Sequence, residues 1–175
     1  MFYNSGTIRV GLDSAFVANG TYTQRGGRTE LDGGSLSAPL VDNEGGVIDG
    51  GGLIVANVRN AGQVYVGGQG LAGVLFVIGN YTQTLAGTLH IDIGGRTFGS
   101  DYDLLYVSET AALGGTLDIH LINAFLPKPD DLLLILLCSA RVGDFATING
   151  LLFSENRAFL PFPFDNGYLL WTYRR

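Results

Sequence analysis

The sequence predicts an all-β fold, a parallel β-solenoid (β-helix) of short glycine-bounded rungs with a C-terminal strand-rich cap, and three observations carry that expectation. The first is a pair of like strands within residues 79–121: Leu89, Ile91 and Ile93 alternate with His90 and Asp92, and Leu117, Ile119 and Leu121 alternate with Asp118 and His120. Period-two alternation marks a strand with one face buried. The second is an internal repeat, in which NSGTIRVG at 4–11 returns as NAGQVYVG at 60–67 with an offset of 56, and GTYTQ at 20–24 returns as GNYTQ at 79–83 with an offset of 59. A module recurring at a nearly constant offset implies stacked units. The third is composition, with 27 glycines and only 15% charged residues in 175. Such a chain suits short strands joined by tight turns, where glycine supplies the positive φ that corners require.

Taken in order, Ile8 and Val10 are expected to face inward with Arg9 outward, and in the second copy Val64 and Val66 inward with Gln63 and Tyr65 outward. The three additional residues of that copy fall in the loop GGQGLAG. Between the copies, GGRTELDGGSL and GGVIDGGGLIVANV continue the pattern with strands of four to six residues, leaving space for two rungs of about 20 residues each. Tyr22 and Tyr81, with Gln24 and Gln83, occupy repeat-related positions and are expected to form a ladder at a corner. No apolar stripe of helical period runs through residues 1–125, so no helix is expected there.

Beyond Phe125 the composition changes. LPKPDD reads as a turn, LLLILLC at 132–138 as a strand buried on both faces, and FLPFPFDNGYLLWTYRR as proline-interrupted strands. Residues 126–175 are expected to cap the rungs of residues 1–125 within one structural domain. Phe145, Phe153, Phe159, Phe162, Phe164 and Trp171 would supply the core of that cap, each contributing about 1.5–3 kcal/mol by burial. No comparable cap precedes the Asn4 strand, so the first rung is expected to be open.

The segments GNYTQ, GTLHIDIGG and YDLLYVSETAALGGTLDIHL resemble the repeat-rich β-solenoid passengers of bacterial surface proteins of the autotransporter and adhesin type. The likeness is looser past Phe125, where Pro129-Asp130-Asp131 stands at the family's Gly-Asp position. The resemblance implies an exported protein, extracellular or on the bacterial cell surface.

Charge and composition narrow the partners. Net charge is −6 and Lys128 is the one lysine, and with no basic patch interleaved with aromatics a nucleic-acid partner is not expected. No apolar run reaches the roughly 18–20 residues of a spanning helix, so no membrane span is expected. The single cysteine, Cys138, excludes an internal disulfide framework and a cysteine metal cluster, and reads as a small buried hydrophobe. The opening Met1-Phe2-Tyr3-Asn4 has no basic and apolar leader regions, which predicts either a piece of a larger protein or another export route.

Several groupings carry chemistry in principle. Residues 68–73 satisfy GxGxxG, but VLFVIGNYTQ follows and reads as a strand, so the motif reads as a glycine corner and not a nucleotide site. If the two like strands stack in register about 4.8 Å apart, His90 sits over Asp118 and Asp92 over His120, a set able to bind zinc. The simpler reading is an exposed ladder of complementary pairs, and no metal or other cofactor is assigned. Asp101-Tyr102-Asp103 reads as a turn whose aspartates bond nearby backbone. No nucleophile, base and orienting group are nominated together, so the chain is not expected to be an enzyme.

These features point to a structural or adhesive module that associates end to end into oligomers or filaments. Its interface is expected at Phe2, Tyr3, Ile8 and Val10 of one copy and Leu170, Trp171 and Tyr173 of another. The partner is then the chain itself, or further rungs of a larger parent chain, with surface glycans as a further class. The rival reading is a glycan-binding or glycan-cleaving β-helix of tail-spike or lyase type, whose groove would run along Tyr3, Tyr22, Tyr65, Tyr81 and Asp92.

Overall fold

Alternating apolar residues and glycine breaks divide the chain into strands throughout, and the computed structural model, which describes residues 1–175, contains 19 strands and no helix. The chain opens with β1 (Phe2–Asn4), β2 (Thr7–Gly11), β3 (Ala15–Val17), β4 (Tyr22–Gln24), β5 (Arg28–Asp32) and β6 (Ser35–Asn43). There follow β7 (Val47–Gly50), β8 (Gly52–Asn60), β9 (Gln63–Val66), β10 (Val74–Ile78), β11 (Tyr81–Gln83) and β12 (Thr88–Ile93). Next come β13 (Leu104–Leu113), β14 (Thr116–Leu121), β15 (Leu132–Gly143) and β16 (Thr147–Asn149). The last three are β17 (Leu152–Ser154), β18 (Arg157–Phe164) and β19 (Gly167–Arg174).

These strands form two sheets. The small sheet is parallel, with seven strands in the order β16-β14-β12-β9-β7-β5-β2. The large sheet has twelve strands along β1-β4-β6-β8-β10-β13-β15-β19-β18-β17, with β3 beside β6 and β11 between β8 and β13. It is mixed: β15 pairs antiparallel with β19, β19 with β18, and β18 with β17. No helix is long and apolar enough to cross a membrane.

This arrangement corrects the expected parallel β-solenoid of short rungs with a C-terminal strand-rich cap. The large sheet is built from strands of up to 9, 10 and 12 residues, and the C-terminal strands join it antiparallel instead of closing it. The interval between successive strands of the small sheet runs from 16 residues (Val47 to Gln63) to 31 (Thr116 to Thr147), so the chain has no fixed repeat length. The physical reason lies in β15: apolar and long, it takes β13 on one edge and β19 on the other, and so carries the C-terminal strands into the same sheet.

Where two parallel strands pair in register, like residues stack. Across the small sheet the inward column is Ile8, Thr29, Ile48, Val64, Leu89, Leu117 and Ile148. Its members Ile48, Val64, Leu89 and Leu117 join Leu36, Ile54, Val58, Leu75, Leu105 and Leu133 of the large sheet in one cluster of 34 buried residues, with Ile8 and Ile148 packed against it. Phe145 and Phe159 are buried and Phe153 is half-buried, but Phe162 and Trp171 are 55% and 39% exposed, which corrects their placing in the core. Antiparallel register puts Trp171 opposite both Leu132 and Leu160, and Leu169 opposite both Leu134 and Phe162, so these side chains share the outward face.

At one corner the interior is polar. Asn4, Gln24, Asn43, Asn60 and Gln83 are in register along the large sheet and all are buried. Each asparagine oxygen accepts from a glycine just beyond it: Gly6 at 3.0 Å, Gly46 at 3.0 Å and Gly62 at 3.1 Å. The Tyr22 hydroxyl donates to Gln24 Oε1 at 3.1 Å and the Tyr81 hydroxyl to Gln83 Oε1 at 2.8 Å. The repeated N-x-G and YTQ segments of the sequence therefore converge on one hydrogen-bonded amide column.

Glycine is required where this corner enters the small sheet. At Gly115, φ is +59° and a Cβ would lie 2.2 Å from Gly87 O; at Gly62 it would lie 2.4 Å from Gly46 O. Gly115→Ala is expected to lower stability by about 2–3 kcal/mol, since a backbone atom must move to admit the methyl. Urea unfolding measures this, and an unchanged midpoint would show that the corner has slack.

Candidate functional site

The outward face of the small sheet carries a row of charged side chains together with Tyr65 and the two histidines. Parallel register again builds a column: Arg9, Glu30, Asp49, Tyr65, His90, Asp118 and Asn149 lie opposite one another across all seven strands. Two ion pairs occupy one end, Arg9 Nε to Glu30 Oε2 at 2.6 Å and Arg28 Nη1 to Asp49 Oδ2 at 2.5 Å.

The other end is a stack of rings. Tyr65 lies on His90 with centroids 3.9 Å apart and planes 4° from parallel, and His120 lies beyond His90 at 5.8 Å and 9°. β12 and β14 pair so that His90 faces Asp118 and Asp92 faces His120. His90 Nδ1 is 3.3 Å from Asp118 Oδ2, His120 Nε2 is 3.5 Å from the same oxygen, and His120 Nδ1 is 3.7 Å from Asp92 Oδ1. His90 Nε2 meets Gln63 Oε1 at 2.5 Å.

The expected exposed ladder is corrected in one respect. His90 and Asp92 are only 7% and 4% exposed, because Tyr65 covers the imidazole and the 67–73 loop covers the carboxylate. Burial pushes the His90 pKa down, against the opposing pull of Asp118, so the ring is neutral at neutral pH. Burial pushes the Asp92 carboxyl up, although the Gly70 N–H donates to its Oδ2 at 2.6 Å.

That loop is held by three carboxylates. Gln69 N–H donates to Asp49 Oδ1 at 3.2 Å, Gly70 N–H to Asp92 Oδ2, and Gly73 N–H to Asp103 Oδ1 at 2.8 Å. Three backbone donors of the GxGxxG segment are thus occupied by carboxylates, Leu71 N–H donates to Gly68 O, and the strand β10 follows, with no helix N-terminus to receive a phosphate. Between the loop and the sheet lies a cleft of 540 Å³ lined by Arg9, Arg28, Glu30, Asp32, Asp49 and Gln69 among others. Asp103 is buried, with its second oxygen accepting from Asp92 N–H at 2.7 Å, and burial pushes its carboxyl up to about 9. Asp101 instead accepts from the backbone of Arg96 and Thr97 within its own turn, which holds its carboxyl low.

The residues expected at an assembly interface are dispersed. Phe2 and Tyr3 are exposed on β1, at an edge of the large sheet, and Ile8 is half-buried on β2. Val10 and Leu170 are buried in the core. Trp171 and Tyr173 are on β19, which has β15 on one side and β18 on the other, so their backbone presents no free edge. The five groove residues of the glycan reading also separate: Tyr22 and Tyr81 are interior, Tyr3 is on the large sheet, and Tyr65 and Asp92 are on the small one. Cys138 is a buried free thiol.

Sequence reasoning named the two histidines and their aspartates and set Gln63 and Tyr65 on the outward face, but did not place either against His90. The signal was present in the shared phase of QVYV and TLHIDI. Comparison of the chain with protein-family models, with curated proteins and with solved structures gave no match.

Proposed function

We propose that the chain is a structural, adhesive module of a bacterial surface or extracellular protein that associates end to end with further copies of itself. The observation that carries this reading is the matched pair of edges on the small sheet. All seven strands run the same way, so its two edges, β2 and β16, differ, and one can receive the other by simple translation. β2 presents Thr7, Ile8 and Arg9 in the columns where β16 presents Thr147, Ile148 and Asn149.

The hydrogen-bond phase is complementary as well. Arg28 N–H donates to Gly6 O at 2.8 Å and Thr147 N–H to Gly115 O at 3.1 Å. In a parallel ladder this turns the Thr7 and Arg9 N–H groups to the open side of β2, and the Ile148 N–H to the open side of β16. A copy set on β16 by its β2 strand would continue the ladder, and a head-to-tail contact of this kind does not close on itself. The outward apolar cluster of Leu132, Leu160, Phe162 and Trp171 adds a second sticky surface. The resemblance of the GNYTQ and GTLHIDIGG segments to bacterial surface proteins supports an extracellular setting.

Thr7→Pro removes the first outward donor while keeping a residue type that edge strands accept. Light scattering should show wild-type mass rising with concentration and the Thr7→Pro protein remaining a monomer with unchanged circular dichroism. A wild-type chain that stays monomeric as concentration rises, or a proline variant that assembles equally well, would overturn the reading.

A further inference from the structure

We infer that His90, Asp118 and His120 form a binding site for a divalent transition cation of the zinc type. Their ligand atoms, one from each residue, all lie within 4.8 Å of one another. Two imidazole nitrogens and one carboxylate oxygen are a donor set that suits zinc and not calcium or magnesium, which take oxygen ligands.

Two of the three donor spacings fit as they stand, and the third, between the imidazole nitrogens, is within 4.8 Å. Ligand bonds of about 2.0–2.1 Å in a tetrahedron put neighbouring donor atoms about 3.3–3.5 Å apart. His90 Nδ1 and His120 Nε2 stand 3.3 and 3.5 Å from Asp118 Oδ2. Both edges therefore have the length that a shared cation sets.

The observation that points to a ligand is the state of His90. Its side chain is only 8% exposed, and its Nδ1 is buried with no hydrogen-bond partner. The Nε2 contact with the Gln63 oxygen gives Nε2 the proton, which leaves Nδ1 a lone pair that no donor satisfies, 3.3 Å from the Asp118 carboxylate. A cation bound beside Asp118 takes that lone pair and offsets the carboxylate charge.

The outer contacts agree. In metal sites the second ring nitrogen of a ligating histidine donates to a fixed acceptor, which sets tautomer and orientation. Here His90 Nε2 has Gln63 Oε1, and His120, if Nε2 ligates, directs Nδ1 toward Asp92 Oδ1 at 3.7 Å. Asp92 is itself anchored by Gly70 N–H, and Tyr65 fixes the plane of His90. His120 is about half exposed, so the fourth position opens to solvent, where water or a donor from another molecule completes the shell.

The test is a titration of the full chain, prepared without a histidine tag, with zinc chloride by calorimetry and with cobalt chloride by visible absorption. One ion should bind per chain, and the cobalt form should show the intense visible bands of a tetrahedral site. His120→Gln and Asp118→Asn alter accessible side chains, and each should weaken binding by at least about 10–100-fold. Their circular dichroism should match wild type. The absence of saturable binding by either ion, or binding of equal strength in both variants, would overturn the inference.

Discussion

Asn60→Ala is expected to lower stability by about 3–5 kcal/mol, a large share of the total 5–15 kcal/mol typical of a domain. The Asn60 oxygen accepts from Asn43 Nδ2 at 2.9 Å and from Gly62 N–H at 3.1 Å, and its amide donates toward Tyr81, Gln83 and Thr88. Alanine leaves those groups in place with water excluded. Asn43 Nδ2 retains Gln63 O and the Tyr81 hydroxyl retains Gln83, so the cost falls mainly on Gly62 N–H and the amides of the column. Arg59→Ala, one residue away, is the control: its ion pair with Asp42 is exposed and should contribute at most about 1 kcal/mol. Urea unfolding of the two variants separates the alternatives, and equal midpoints would mean the amide column contributes nothing particular.

The second large effect is a dependence on pH. The Asp103 carboxyl rises from 3.8 to about 9 on folding because burial disfavours its charge, although two backbone N–H groups donate to it. Between those values the folded state binds more protons than the unfolded state, so stability falls as pH rises and levels off above the folded value. The maximum slope is about 1.4 kcal/mol per pH unit. Asp49 and Asp92, also raised by burial, act in the same direction. His90, whose pKa is lowered, acts oppositely: its contribution is present above its unfolded value and is lost as pH falls.

Asp103→Asn isolates the one group. An amide does not titrate, so the variant's melting temperature should vary less between pH 5 and 9 than that of wild type. It should also be lower at pH 5, since an NH₂ now faces one of the two N–H donors. Melting curves in the presence of a chelator give the comparison, and parallel curves for the two proteins would sink the assignment to Asp103.

Much of the local structure was legible. The alternation at Leu89–Ile93 and Leu117–Leu121 marks β12 and β14, and the N-x-G and YTQ repeats mark residues that meet in the amide column. The long strands were hidden because their alternation slips. β6 shifts register between Ser37 and Leu40, around Pro39, and β13 between Val107 and Thr110, so each reads as two short strands. The burial of His90 and Asp92 was hidden for another reason: their covers, Tyr65 and the 67–73 loop, come from other parts of the chain. Phe162 and Trp171 read as core because they are large and apolar, yet the antiparallel register leaves them on the outward face.

By itself, the sequence determined the short alternating strands such as β12 and β14, their apolar side, and where glycine must turn the chain, since these depend on neighbours within a few positions. Only the tertiary structure decided how many sheets there are, that the C-terminal strands run antiparallel within the larger one, and which polar residues lie under cover. Pairing partners lie 16 to 31 residues apart along the small sheet. Local alternation specifies a face but not what packs against it, and the protonation of His90 and Asp103 follows from that packing.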